Sequence, residues 1–365
     1  MKPRSACTLA GSLAILAALA SAQTTPRAVL LALSKQDHTL AIVDPATLKV
    51  LVRIPVGEDP HEVVASADGK TAYVSNYGFG AFHTFTAIDL VGQRPAGVID
   101  LGALRGPHGL AFELGKVWFT AEAAKAIGSY DPIAGKIDWI MGTGQDRTHM
   151  LYVFPDGKRI VTTNVNAATV TIMEQIAARP WGPLPGMPPG GGPGQGGPPP
   201  GGPGPGAPPM GGPPPPQGPE WQLTVIPVGR GAEGFDVSPD GKEAWIANAW
   251  DGTIAVIDIA AKKVVATLAA NVQGANRLKF TPNGKLVLVT PGSALVILDA
   301  ATHKEVARIA SVHGSGGIQM QPDGARAYVA CGRDNFVAVI DLKTLQLVGQ
   351  IPVASPDGLA WAVRQ

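Results

Sequence analysis

An internal repeat of roughly forty residues runs through this chain and limits it to a few architectures. Its unit reads Pro-His, Asp-Gly-Lys, Tyr-Val, Val-Ile-Asp and then Ile-Pro-Val-Gly. Thus Pro60-His61-Glu62-Val63-Val64 leads to Asp68-Gly69-Lys70, Tyr73-Val74-Ser75-Asn76, Ala87-Ile88-Asp89 and Gly97-Val98-Ile99-Asp100. Each apolar stretch is short, rich in β-branched residues and bounded by turn residues, so each reads as a strand. Asp-Gly between two of them signals a hairpin, because glycine tolerates positive φ. Four strands, A to D, make one unit, and such a unit must stack on its neighbours to bury both faces.

Six full units are visible, with strand A starting near Pro60, Pro107, Thr148, Ala232, Ala275 and Ser315. The unit that starts at Pro107 departs most: Glu113-Leu114-Gly115 replaces the usual turn and is one residue shorter. A seventh unit is divided. Residues 27–57 supply strands B, C and D, and the missing strand A stands at the other end as Pro356-Asp357-Gly358-Leu359-Ala360-Trp361-Ala362-Val363. A chain that starts at B and ends at A closes a ring by pairing its termini in one blade. The expected fold is therefore all-β, a closed seven-bladed propeller of four-stranded antiparallel blades.

Tyr73-Val74-Ser75-Asn76, Ser238-Pro239-Asp240-Gly241-Lys242 and Val256-Ile257-Asp258 resemble the motifs of the YVTN-repeat β-propeller family of bacterial and archaeal envelope proteins. The resemblance covers nearly all of the chain outside one insert. It implies the propeller fold, but no single activity, because that family includes surface-layer, redox-associated and lactonase-like members.

The first residues read as a secretory signal: Lys2 and Arg4, an apolar run from Leu9 to Ala20, then Ala20-Ser21-Ala22 for cleavage. We take 1–22 as signal peptide and 23–365 as one propeller domain, periplasmic or secreted. The apolar run is shorter than the roughly 20 residues that span a bilayer, so no membrane span is expected in the mature chain. Removing the signal removes Cys7 and leaves Cys331 alone, expected on a B–C turn, so no internal disulfide is possible. No Cys-x-x-Cys-His occurs, which excludes covalent haem. Residues 179–220, almost only Pro and Gly, interrupt the fourth blade between strands C and D; such a composition reads as a disordered insert. A formal net charge of +1 argues against a general nucleic-acid or membrane-surface binder.

Hairpin alternation sorts the loops onto two faces. Strand A lines the channel, so its first residues ring the mouth on the face of the B–C turns. Reading one position around that ring gives His61, His108, His149, Glu233, Asn276, Gly316 and Asp357. Three successive histidines are candidate ligands for Zn²⁺ or Cu²⁺, with Glu233 as a candidate base. The competing interpretation is that Pro-His belongs to the repeat and that its imidazole only bonds a neighbouring loop. Tyr77, Arg147, Arg230, Trp250, Asn276, Arg277, Arg333 and Asp357 complete a candidate recognition surface. It suits a small anionic ligand, a peptide or an envelope protein, with single-stranded nucleic acid the least favoured partner. Two readings stay open: a monomeric, non-enzymatic binding scaffold, which we favour, or a metal-dependent hydrolase, lactonase-like or redox propeller working at the same mouth. No Gly-x-Ser-x-Gly, Walker loop or His-Glu-x-x-His is present.

Overall fold

The computed structural model describes residues 26–177, 220–314 and 316–365. The signal-peptide segment 1–22 and nearly all of the 179–220 insert lie outside these residues. Glu220, counted with the insert from sequence, is instead the first residue of a strand, Glu220–Pro227. The described chain forms seven separate four-stranded sheets, each antiparallel and in A-B-C-D order. Strands A of blades 2 to 7 run over Pro60–Ala65, Pro107–Glu113, Thr148–Val153, Ala232–Val237, Arg277–Phe280 and Ile318–Met320. Blade 1 takes strands B, C and D from Ala28–Ser34, Thr39–Asp44 and Lys49–Pro55, and its strand A from Pro356–Val363.

That divided blade closes the ring. Ala28 pairs with Val363, and the ladder continues to Ser34 opposite Pro356. Its two faces then seal against both neighbours. Leu31, Leu33, Leu40 and Ile42 pack with Val63, Val74 and Ile88 of blade 2. Leu30, Ala41 and Val43 pack with Tyr328, Val337 and Val339 of blade 7. Strands B and C are apolar on both faces because each face meets another blade. Strand D alternates, as in Lys136–Gly142, because only one face is covered.

The turns explain the repeat letters. In Ser66-x-Asp68-Gly69-Lys70, Asp68 accepts from the Ser66 hydroxyl at 2.7 Å and the Lys70 amide at 3.1 Å, while Gly69 takes φ 67°. Blade 3 shortens this turn to Leu114-Gly115, with φ of 55° and 76° between the paired Glu113 and Lys116, the two-residue type I′ pattern. Cys331 is the buried last residue of strand B, not a turn residue, and burial pushes its thiol up to about 12. None of the described helices is long and apolar enough to cross a membrane.

Candidate functional site at the channel mouth

A bulge in strand A delivers the ring residues to the channel. The A–B register shifts between Pro60 and Val63, Pro107 and Leu110, Thr148 and Leu151, and Ala232 and Phe235. The residue after the ring position therefore loses its ladder partner. A strand B hydroxyl replaces it. Ser75 accepts from the Glu62 amide at 3.0 Å, and Thr120 from the Gly109 amide at 2.9 Å. The Thr120 hydroxyl also donates to the His149 carbonyl at 2.7 Å, and Thr163 to the Glu233 carbonyl at 2.8 Å. Blades 3 and 4 thus fix the backbone of the next ring residue. Glycine after the ring residue permits this approach. A Cβ on Gly109 would stand 2.7 Å from the His149 carbonyl oxygen, and one on Gly234 2.4 Å from that of Asn276.

The three histidines form a row. His108 lies in the middle, its ring centroid 4.2 Å from His61 and 3.9 Å from His149. Tyr77 packs edge-on to both His61 and His108, at 5.1 Å from each. Neither His108 nor His149 bonds a loop carbonyl through its ring: His108 Nδ1 and His149 Nε2 are buried without a hydrogen-bond partner. Donor atoms from His61, Glu62 and His108 lie within 4.8 Å of one another, and so do those from His108, Glu122 and His149. The row therefore presents two overlapping donor groups that share His108.

Carboxylates orient the row. Glu122 meets His149 Nδ1 in a very short contact, accepts from the Tyr77 hydroxyl at 2.5 Å and lies 3.6 Å from Arg147 Nε. Glu233 stands 3.5 Å from His149 Nε2 and 3.6 Å from the Arg147 guanidinium. Asp357 lies 2.7 Å from His61 Nδ1 and 3.3 Å from Lys35, which also pairs with Asp59 at 3.0 Å.

These contacts shift the titrations. Burial, then the neighbouring His149 and His61, hold the His108 imidazole well below its usual range, so it is neutral. Burial alone would raise the Asp357 carboxyl, but His61, Lys35 and Arg277 hold it well below the usual carboxylate range. Burial would likewise raise Glu122, and its bonds to His149 and Tyr77 bring it below the ordinary value. Burial and the Glu122 charge push the Tyr77 phenol well up.

One ion pair crosses the channel. Arg277 of blade 6 bonds Glu62 of blade 2 in a short, buried contact. Burial disfavours the charged guanidinium, and Glu62, Asp357 and Glu233 outweigh it and keep Arg277 charged. Arg277 lines two spaces. One is a mouth cavity of about 420 Å³, lined by Lys35, the histidine row, Arg147, Glu233 and residues of blades 6, 7 and 1. The other is a channel cavity of about 140 Å³, lined by Glu62, Asp236, Lys279 and apolar strand A residues.

Most of the sequence candidates meet here. His61, His108, His149, Glu233, Arg147, Asn276, Arg277, Arg333 and Asp357 line the mouth cavity, with Tyr77 packed against the row. Arg230 and Trp250 do not line it: Arg230 is exposed and held by Asp251 at 2.8 Å, and Trp250 faces solvent. Sequence reasoning missed Glu122, Glu62, Lys35 and Asp59. Glu122 carried one signal. It follows strand B at the place that holds Tyr77 in blade 2 and the apolar Val165 and Ala249 in blades 4 and 5.

No protein-family model and no curated protein matches the chain. Solved structures do match. A protein of undetermined function from Desulfotomaculum acetoxidans superposes with a TM-score of 0.67 at 12% identity, over 92% of this chain and 99% of its own. A candidate 6-phosphogluconolactonase from Bacteroides fragilis gives 0.66 at 17% identity, over 93% and 99%. Hydrazine synthase from Kuenenia stuttgartiensis gives 0.59 at 16%, over 82% and 89%. The likeness shows the fold alone. It is a seven-bladed β-propeller.

Proposed function

We propose that this protein is a ligand-binding propeller of the YVTN-repeat type, working outside the cytoplasm, whose channel mouth takes a small anionic molecule. The observation that carries this reading is the mouth cavity, lined by Arg277 of the cross-channel pair and by charged side chains that differ from blade to blade. Here the ring position runs through His, Glu, Asn, Gly and Asp. Lys35, Arg147 and Arg277 have carboxylate partners, whereas Arg333 at the rim has no ion pair or hydrogen bond among the described residues. An incoming anion meets that guanidinium first, and Arg147, 3.6 Å from Glu122 and Glu233 and beside the Tyr77 hydroxyl, can turn toward it. The test is calorimetric titration of chelator-treated protein with gluconate and 6-phosphogluconate. Saturable binding that weakens about tenfold or more in Arg333→Ala supports the reading. No binding of either anion, or binding indifferent to both Arg333→Ala and Arg147→Met, overturns it.

A second reading rests on a different observation. Glu122 holds His149 Nδ1 and leaves Nε2 without a partner, the arrangement of an oriented general base. In lactone opening, His149 Nε2 would take a proton from water as the hydroxide adds to the carbonyl carbon. The ring C–O bond would then break and the departing alkoxide would recover that proton. The name of the Bacteroides neighbour points the same way. Hydrolysis of 6-phosphogluconolactone in the presence of chelator, lost in His149→Gln, would support it. Turnover no faster than the spontaneous reaction would remove it.

A further inference from the structure

We propose that the histidine row is also a divalent transition-metal site, taking an ion of the Zn²⁺ or Cu²⁺ class on the imidazoles of His108 and His149, with the Glu233 carboxylate beside His149 Nε2. The inference deepens the mouth-binding reading and depends on the mouth being a site, but not on which anion it takes.

Three observations support it. First, His108 Nδ1 and His149 Nε2 are unpartnered nitrogens on side chains that are about 1% exposed. An unsatisfied polar atom in the interior costs about 1–3 kcal/mol, so two on adjacent residues need a partner, and neutral imidazole nitrogens are preferred ligands of these ions. Second, His149 Nε2 and Glu233 Oε1 stand 3.5 Å apart without a hydrogen bond. Ligand bonds of roughly 2.0–2.2 Å at tetrahedral angles put two donor atoms at about that separation. Third, Glu122 grips His149 on its other nitrogen. A carboxylate behind a metal-bound histidine fixes the tautomer and aims the ligating nitrogen. Glu122 also bonds Tyr77 and faces Arg147, so it acts as a positioning residue rather than a ligand. His61 joins the neighbouring donor group through His108 but is held near Asp357, which leaves it at the edge of the site.

Charge agrees with this assignment. Glu122, Glu233, Glu62 and Asp357 face the row, balanced by Arg147, Arg277 and Lys35. Arg147 is the loosest of these cations, with a third of its side chain exposed. It can leave Glu233 to the ion and turn outward, where it would face a bound anion. The two ligands of the mouth would then share one wall.

The test uses the full chain after chelator dialysis and titration with Zn²⁺ and Co²⁺. One equivalent is expected to bind, and the cobalt form should show the intense visible bands of low-coordinate Co²⁺. His149→Gln and His108→Gln should each abolish the tight equivalent, and Glu122→Gln should weaken it about 10- to 100-fold. His313→Gln, an exposed histidine paired with Asp334 away from the row, should change nothing. If a histidine variant does not fold, Glu233→Gln and the wild-type titration decide. Absence of a tight equivalent in wild type, or one kept in His149→Gln, overturns the site. Anion binding by chelated protein is measured separately, so either reading can fail alone. The ion would also occupy the nitrogen that the hydrolytic reading uses as base, so lactone hydrolysis inhibited by Zn²⁺ and restored by chelator would confirm that both act at His149.

Discussion

Two cavities of similar size lie on opposite faces of the ring. The one on the A–B turn face, about 510 Å³, is the larger, and is lined by Ser238, Asp240, Pro282, Asn283 and His303. The one at the channel mouth is about 420 Å³. Their polar groups differ in what they already hold. In the larger cavity Asp240 accepts from Ser238 at 2.7 Å and from the Lys242 amide at 3.1 Å, and Asn283 repeats that bonding with Thr281 and Lys285. His303 packs edge-on to Trp245. These side chains are spent on closing their own turns, and the same turn recurs in other blades. At the mouth the polar groups come from different blades, and among them His108, His149, Glu122, Glu62 and Arg277 are buried, with His108 Nδ1 and His149 Nε2 left without a hydrogen-bond partner. Cavity volume does not separate the two; the state of the buried polar groups does.

The sharpest way to break the comparison is to remove one half of the cross-channel pair. Arg277→Met strands Glu62, and Glu62→Met strands Arg277, each in a buried setting. Either should lower the unfolding free energy by about 3–5 kcal/mol, and the double Met variant should recover much of the loss. Chemical denaturation measures both. Lys242→Ala, beside the larger cavity and exposed, should stay within about 0.5 kcal/mol of wild type. Equal effects at the two cavities would erase the distinction drawn between them.

A smaller loss should follow at the glycines behind the ring. Gly234→Ala places a Cβ 2.4 Å from the Asn276 carbonyl oxygen, and Gly109→Ala places one 2.7 Å from that of His149. Backbone cannot rotate away as a flexible side chain can, so about 1–3 kcal/mol is expected for each. Gly109→Ala should also disturb the mouth, because it pushes on the residue that carries the His149 ring. Gly142→Ala meets open space at a strand end and should cost far less. A thermal-melt series on the three variants checks the order, and Gly142→Ala as damaging as Gly234→Ala would sink the argument.

These residues also show what was legible in the sequence. The fold was, because hairpin turns and apolar runs are local signals, and the divided seventh unit states the ring closure directly. The histidine row was legible too, since one repeat position read around a ring is a spatial statement. Glu122 was not. It sits after strand B, 27 residues from His149, and nothing local says that the B–C turn of blade 3 leans over strand A of blade 4. The Glu62–Arg277 pair was hidden for a related reason. Both residues occupy the position after the ring residue, which elsewhere is mostly glycine, and no local signal pairs blade 2 with blade 6 across the channel. Arg230 and Trp250 were drawn into the site by their face alone, and the structure leaves them on its outer surface.

The smallest expected effect is on acid sensitivity, and it tests whether the mouth is as dry as its burial implies. In metal-free protein His108 is held neutral, with its folded value well below that of an unfolded histidine near 6.5. Below about pH 6.5 the unfolded chain binds a proton that the native chain refuses. The unfolded state then carries more protons, so stability rises with pH through this window and levels off above it. The depressed carboxyls of Asp357 and Glu122 act at lower pH, below the usual carboxylate range, so the comparison of wild type with His108→Gln between pH 5.5 and 7.5 is free of these two groups. The urea midpoint of wild type in chelator should therefore fall between pH 7.5 and 5.5, and His108→Gln should flatten part of that fall. An identical slope in the variant would mean that His108 takes up its proton in the folded state. Water would then reach the middle of the row, and the contrast between the two cavities would reduce to one of shape.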